Sequence, residues 1–157
     1  LAYVSKTPGR TQALNFFALP KGGFIVDLPG YGYAKTARAT KMDWGPLLGR
    51  YVRERSTLRG VVVLMDIRHP LTELDIGFLQ WMVATDKSLL LLLTKCDKVS
   101  NSAKVETTRQ VRMQIQTQFP ALGSRTDVEV FSSLKKTNVE AVSTKIQAWF
   151  APNPAET

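Results

Sequence analysis

Asp27 follows directly on Gly23-Phe24-Ile25-Val26, a run suited to a buried strand, and Pro29 and Gly30 forbid that strand from continuing. A carboxylate at the carboxyl end of a strand, followed by a glycine whose bare N–H can approach an anion, is what a magnesium-phosphate site requires. An Asp before Pro-Gly also ends strands as an ordinary turn, so other parts of the chain must decide its reading. Thr94-Lys95-Cys96-Asp97 closes another apolar run. A carboxylate there can accept from the ring N–H and exocyclic amine of guanine, donors that adenine lacks in that geometry. Lys95 can lay its methylene stem on such a base while its ammonium stays in water. A solvated Lys/Asp turn after a core strand has the same composition. Ser132-Ser133-Leu134 follows the next strand, where a backbone N–H can meet the guanine carbonyl and a side chain can brace Asp97. Thr11 lies 16 residues before Asp27, and its hydroxyl can join Mg²⁺ once a terminal phosphate organises the loop around it.

These groups need elements to hold them. Residues 12–19 and 23–28 read as strands of an antiparallel hairpin joined through Pro20-Lys21-Gly22-Gly23. A helix is predicted from near Asp43, with Pro46 in its first turn, to a stop at Gly60. Val61 to Asp66 is β-branched and apolar on both faces, the pattern of a central parallel strand. Thr72 and Asp75 form a capping box for a helix whose inner face carries Leu74, Phe78, Trp81 and Met82. Ser88 to Leu93 is a fully apolar strand. A helix over 102–119 carries Thr108, Val111, Ile115 and Phe119 on one stripe and stops at Pro120. Residues 127–131 form the last strand, and Thr137 and Glu140 box a final helix turning Val142, Ile146, Trp149 and Phe150 to the sheet. A hairpin followed by three strand-helix alternations predicts an α/β fold, a mostly parallel sheet with helices on both faces. Asp27, Asp66, Asp97 and Ser132 all fall at carboxyl ends of strands, where such sheets bind ligands.

The 157 residues are 44% apolar, enough for one domain with a core of its own. A net charge of +8 favours a polyanionic partner, nucleic acid or an anionic membrane surface. The single cysteine, Cys96, excludes a disulfide framework and points to a reducing cytoplasm. No apolar run approaches the ~20 residues of a membrane span, and no signal peptide is apparent. Cys96 is expected to serve packing and His69 to be structural. Lys35, Arg38 and Lys41 lie in a long irregular stretch and are candidate contacts to an RNA backbone.

In order along the chain, Thr11, Asp27 to Gly30, Thr94 to Asp97 and Ser132 to Leu134 match the threonine switch, the Asp-x-x-Gly switch and the two guanine loops of a translational-type GTPase. Lys6-Thr7-Pro8-Gly9-Arg10-Thr11-Gln12, Asp27-Leu28-Pro29-Gly30-Tyr31-Gly32-Tyr33-Ala34, Met65-Asp66-Ile67-Arg68-His69-Pro70-Leu71, Leu93-Thr94-Lys95-Cys96-Asp97-Lys98 and Phe131-Ser132-Ser133-Leu134-Lys135-Lys136 resemble the bacterial EngB family, also called YihA or YsxC.

The resemblance covers essentially the whole chain. It implies a P-loop GTPase-like fold, a GTPase domain over residues 1–150 with a tail at 151–157, and GTP or GDP as ligand. Nucleotide contacts are then expected from Gly9, Arg10, Thr11, Asp27, Leu28, Pro29 and Gly30, from Thr94, Lys95, Cys96 and Asp97, and from Ser132, Ser133 and Leu134. Mg²⁺ would be held by Thr11 and Asp27. Family members are implied in assembly of the large ribosomal subunit in the cytoplasm, and some are linked by name to cell division and septation, so ribosomal RNA or a large-subunit precursor is the expected partner. Two departures stand out. The Gly-x-x-x-x-Gly-Lys-Ser/Thr phosphate loop of such GTPases occurs nowhere in these residues, so the first strand, phosphate loop and first helix are expected to lie outside this sequence. A chain of these residues alone is expected to be inactive. Tyr31 stands where many small GTPases place a water-orienting glutamine, which implies slow hydrolysis, activated by a partner or a monovalent cation. A non-hydrolysing RNA- or protein-binding module on a GTPase-like scaffold is the alternative.

Overall fold

The computed structural model describes residues 14–20, 22–28 and 45–151, with side chains of the first helix described from Gly49 onward. The chain divides into two compact units, Leu1–Arg55 and Ser56–Thr157.

In the first unit, β1 (Asn15–Ala18) and β2 (Phe24–Asp27) pair antiparallel with Phe17 opposite Ile25. Gly22 and Gly23 make the turn at φ 92° and 87°, a region that costs a side chain dearly, and Leu19 exchanges backbone hydrogen bonds with them. Helix α1 (Gly45–Glu54) sets the Tyr51 ring edge-on to Phe16, at 6.3 Å between centroids, and Arg55 lies over both rings. The helix ends at Glu54 and does not run on to Gly60.

The second unit holds a three-stranded parallel sheet in the order β3 (Gly60–Asp66), β4 (Ser88–Thr94), β5 (Thr126–Val130). Asp66 is level with Thr94, and Leu93 with Val130, so the strand ends align. Leu89 to Leu93 are all buried because β4 is central. On one face Val61, Val63 and Met65 of β3 join Leu89, Leu91 and Leu93 of β4 and Val128 of β5, all buried. On the other, Leu90 and Leu92 meet Val142, Ile146 and Trp149. β3 was expected to be central with both faces covered. Among the described residues it is an end strand, with Val62 exposed and Leu64 64% exposed, and its open edge is where the strand expected outside this sequence would lie.

The connecting helices are α2 (Glu73–Met82), α3 (Asn101–Gln118), the one-turn α4 (Pro120–Gly123) and α5 (Val139–Ala148). The α2 capping box forms as expected, Asp75 Oδ2 accepting from the Thr72 N–H and hydroxyl at 2.8 Å each. Drawing Asp75 inward turns the buried stripe to Asp75, Phe78, Leu79 and Met82, and leaves Leu74 exposed where an inner position was expected. Helix α3 starts on Ser100, whose Oγ accepts from the Ala103 N–H, and buries Val111 and Ile115 against the core.

The box expected for α5 does not form. Thr137 is held by backbone hydrogen bonds exchanged with Ser132, and Asn138 takes the cap position at φ 62°, its amide donating to Glu129 Oε2 and the Val130 carbonyl. Phe150, expected to face the sheet, is exposed. Lys145 secures α5 to β5 through Asp127 at 3.0 Å and Glu129 at 3.6 Å. The order of strands and helices is that of an α/β fold with a P-loop GTPase-like sheet and an added antiparallel hairpin. Among the described residues no helix is long and apolar enough to cross a membrane.

Gly60 opens β3 and has no room for a side chain, since a Cβ there would lie 2.6 Å from the Trp149 ring. Close packing of Trp149 is why this strand position, expected to be a helix stop, holds a glycine. Gly60→Ala is expected to lower unfolding stability by about 1–3 kcal/mol through displacement of Trp149. Chemical denaturation measures it, and a loss confined to the few tenths of an ordinary strand substitution would place Trp149 elsewhere.

Candidate functional site

The level ends of β3, β4 and β5 set Asp66, Thr94 to Lys98 and Phe131 to Lys135 side by side. Thr94 binds back into the sheet, its hydroxyl donating to the Met65 carbonyl at 3.0 Å while its own carbonyl accepts from the Ile67 N–H. Lys95 then takes the left-handed conformation, φ 57° and ψ 32°, and the chain enters a single 3₁₀ turn, Cys96–Lys98. For a lysine this conformation costs about 1 kcal/mol, so surrounding contacts must hold it. The Cys96 N–H donates to the Phe131 carbonyl, and the Cys96 side chain is fully buried, a packing role.

That turn presents Asp97. Its side chain is only 9% exposed, and Oδ1 accepts from the Ser132 hydroxyl at 2.5 Å. Ser132 is itself buried, and its Oγ accepts from the Lys135 N–H. Lys98 Nζ stands 3.7 Å from Oδ2, an ion pair too long for a hydrogen bond. The Ser132 hydrogen bond, against the opposing effect of burial and with smaller help from Lys98, holds the Asp97 carboxyl below its ordinary range. A carboxylate accepts about four hydrogen bonds, so Asp97 keeps capacity for a pair of N–H donors. Ser133 and Leu134 are exposed beside it, Leu134 at 71%.

Asp66 forms a second anionic centre that motif reading left without a role. Arg68 folds back on it from two residues on, with Nε 2.9 Å from Oδ1, Nη2 2.6 Å from Oδ2 and its backbone N–H 3.0 Å from Oδ1. Lys95 Nζ lies 3.0 Å from Oδ2, an ion pair made while the lysine side chain remains 58% exposed, so its ammonium still meets water as expected. The Arg68 hydrogen bonds, with help from Lys95, hold the Asp66 carboxyl well below the usual carboxylate range. The available signal was the Asp-x-Arg spacing just past a strand end, which lets a guanidinium fold back over a carboxylate. His69 is exposed in the following turn, its N–H bonded to the Asp66 carbonyl, consistent with a structural residue.

The structure therefore brings Thr94, Lys95, Cys96, Asp97, Ser132, Ser133 and Leu134 together. Asp27 is an exposed carboxylate at the carboxyl end of β2, followed by half-buried Leu28, both in the hairpin unit. Gly9, Arg10, Thr11, Pro29, Gly30, Tyr31, Lys35, Arg38 and Lys41 lie outside the described residues. Among the described residues no group of three or more His, Cys, Asp or Glu is placed to hold a metal. A hard cation such as Mg²⁺ could take one carboxylate from Asp27 and must find most of its oxygens on phosphate and water, the usual habit of that ion.

Removing the Ser132 hydroxyl should release Asp97. In Ser132→Ala the Asp97 carboxyl is expected to rise toward its ordinary pKa and unfolding stability to fall by about 1–2 kcal/mol. Carboxyl ¹³C NMR titration reads the first, and an unmoved Asp97 titration would mean that the hydrogen bond does not form in solution.

No family model matches the chain. It is similar over nearly its whole length to proteins named "Probable GTP-binding protein EngB". That of Thiobacillus denitrificans is 46% identical over 155 residues, covering 99% of this chain and 73% of the relative. That of Pasteurella multocida is 47% identical over 152 residues, covering 97% and 72%. That of Yersinia pestis is 47% identical over 156 residues, covering 99% and 70%.

Proposed function

This chain belongs to the EngB family of GTP-binding proteins, and from that premise we propose that it binds GTP and GDP, hydrolyses GTP slowly and serves as a switch in assembly of the large ribosomal subunit. The observation that carries the nucleotide assignment is Asp97: a nearly buried carboxylate, braced by Ser132 and held ionised, at the aligned ends of β4 and β5. An ionised acceptor fixed in a partly desolvated site suits the ring N–H and exocyclic amine of guanine and leaves adenine with an unpaired partner. The loop from Ser132 to Leu134 offers N–H donors on the other side, and the stem of Lys95 offers an apolar surface for the ring.

In this reading Asp27, with Thr11, would hold Mg²⁺ beside the phosphates, and Gly30 would give its N–H to the terminal phosphate. The ion, when bound, supplies positive charge that offsets the charge on the phosphate oxygens. Tyr31 has no amide with which to orient a water, which supports slow intrinsic turnover and activation by a partner or a monovalent cation. The net charge of +8 supports ribosomal RNA as the partner, with Lys35, Arg38 and Lys41 as backbone contacts and the cytoplasm as the place.

Asp97→Asn tests the assignment in the full-length encoded protein. The amide keeps one acceptor oxygen and turns the other into an N–H donor, so GDP affinity should fall by about 10²–10⁴-fold and xanthosine diphosphate, which carries a carbonyl in place of the amine, should bind in its stead. Association of the same variant with ribosomal RNA should follow xanthosine triphosphate rather than GTP. Unchanged preference for GDP would remove Asp97 from the base site, and RNA binding indifferent to either nucleotide would remove the switch.

A further inference from the structure

The ion cluster at the end of β3 is built more tightly than a strand end requires. Asp66 accepts four times: twice on Oδ1, from the Arg68 N–H and Nε, and twice on Oδ2, from Arg68 Nη2 and Lys95 Nζ. Lys95 belongs to the next strand's loop, and its left-handed backbone departs from what a lysine prefers. The ammonium is tied to β3 and the Cα to the end of β4, so the methylene stem spans the space between the two strand ends. Two residues on, the same turn presents Asp97.

We propose that Asp66, clamped by Arg68, is a positioning residue for base binding: it anchors the Lys95 ammonium so that the lysine stem is already laid out when a purine arrives. The inference rests on the nucleotide reading given above. A long lysine side chain left free must be ordered on binding, and fixing it beforehand removes that cost from the encounter. The ring of any purine can use the apolar stem, whereas base choice belongs to Asp97. Asp66 therefore sets the strength and lifetime of binding and leaves guanine selectivity untouched. The Arg68 clamp makes the anchor dependable, because one half-exposed Lys–Asp pair alone would hold weakly.

A double-mutant cycle in the full-length encoded protein tests this, with Asp66→Asn, Lys95→Met and the double variant compared by stopped-flow using a fluorescent GDP. Each single variant should weaken binding by about 3–10-fold, mainly through faster release. The double variant should be no weaker than Lys95→Met, and Asp66→Asn should keep the wild-type ratio of GDP to inosine diphosphate affinity. Effects that multiply in the double variant, or wild-type affinity in Asp66→Asn, overturn the proposal. Should Asp66→Asn fail to fold, Lys95→Arg against Lys95→Met decides: arginine can still reach Asp66 and must retain more affinity than methionine, and equal loss overturns the proposal. Wild-type protein that does not prefer GDP to ADP would overturn the nucleotide reading as well. Selective wild-type binding with a multiplicative cycle would overturn this inference alone.

Discussion

The hydrogen bond from Ser132 to Asp97 joins two loops 35 residues apart and gives the candidate site its shape. It forms only because β4 and β5 run parallel and in register, with Leu93 level with Val130. That register depends in turn on five consecutive leucines buried on both faces of β4, each worth about 1.5–3 kcal/mol when fully removed from water. A slip by one residue would carry Asp97 away from Ser132 and turn the charged positions of β5 into the core. The core and the site are therefore specified by the same pairing.

Both carboxylates of the site are held below their ordinary range, Asp66 by Arg68 and Lys95, Asp97 by Ser132 and Lys98. A general base working near neutral pH needs the opposite shift. These acids are anions suited to accepting hydrogen bonds and pairing with cations, in keeping with the recognition role we propose for them. A carboxylate held by several partners is positioned more narrowly than a free one, and a well-positioned acceptor discriminates between donors better.

Much of this was legible in the residues because it is local. The apolar run of β4, the Thr72–Asp75 box and the Val111–Ile115 stripe each follow from spacing within one element, and each is found. The loops at 94–97 and 132–134 were placed together by the parallel-sheet rule alone. What was not legible required a partner distant in sequence. Gly60 looked like a helix stop until Trp149, 89 residues on, was seen to fill its face. Thr137 looked like a cap, but its backbone is taken by Ser132. The inner face of α2 shifted because a capping carboxylate was drawn inward, and Lys95 found Asp66 across a strand boundary that no motif spans.

The guanine site we propose at the ends of β4 and β5 has a direct signature in solution. Backbone amide NMR of the full-length encoded protein, titrated with GDP and separately with ADP, tests it most directly. The amides of residues 95–98 and 132–135 are expected to move with GDP and to stay in place with ADP. Equal movement with ADP, or GDP binding that leaves both loops unmoved, would contradict it.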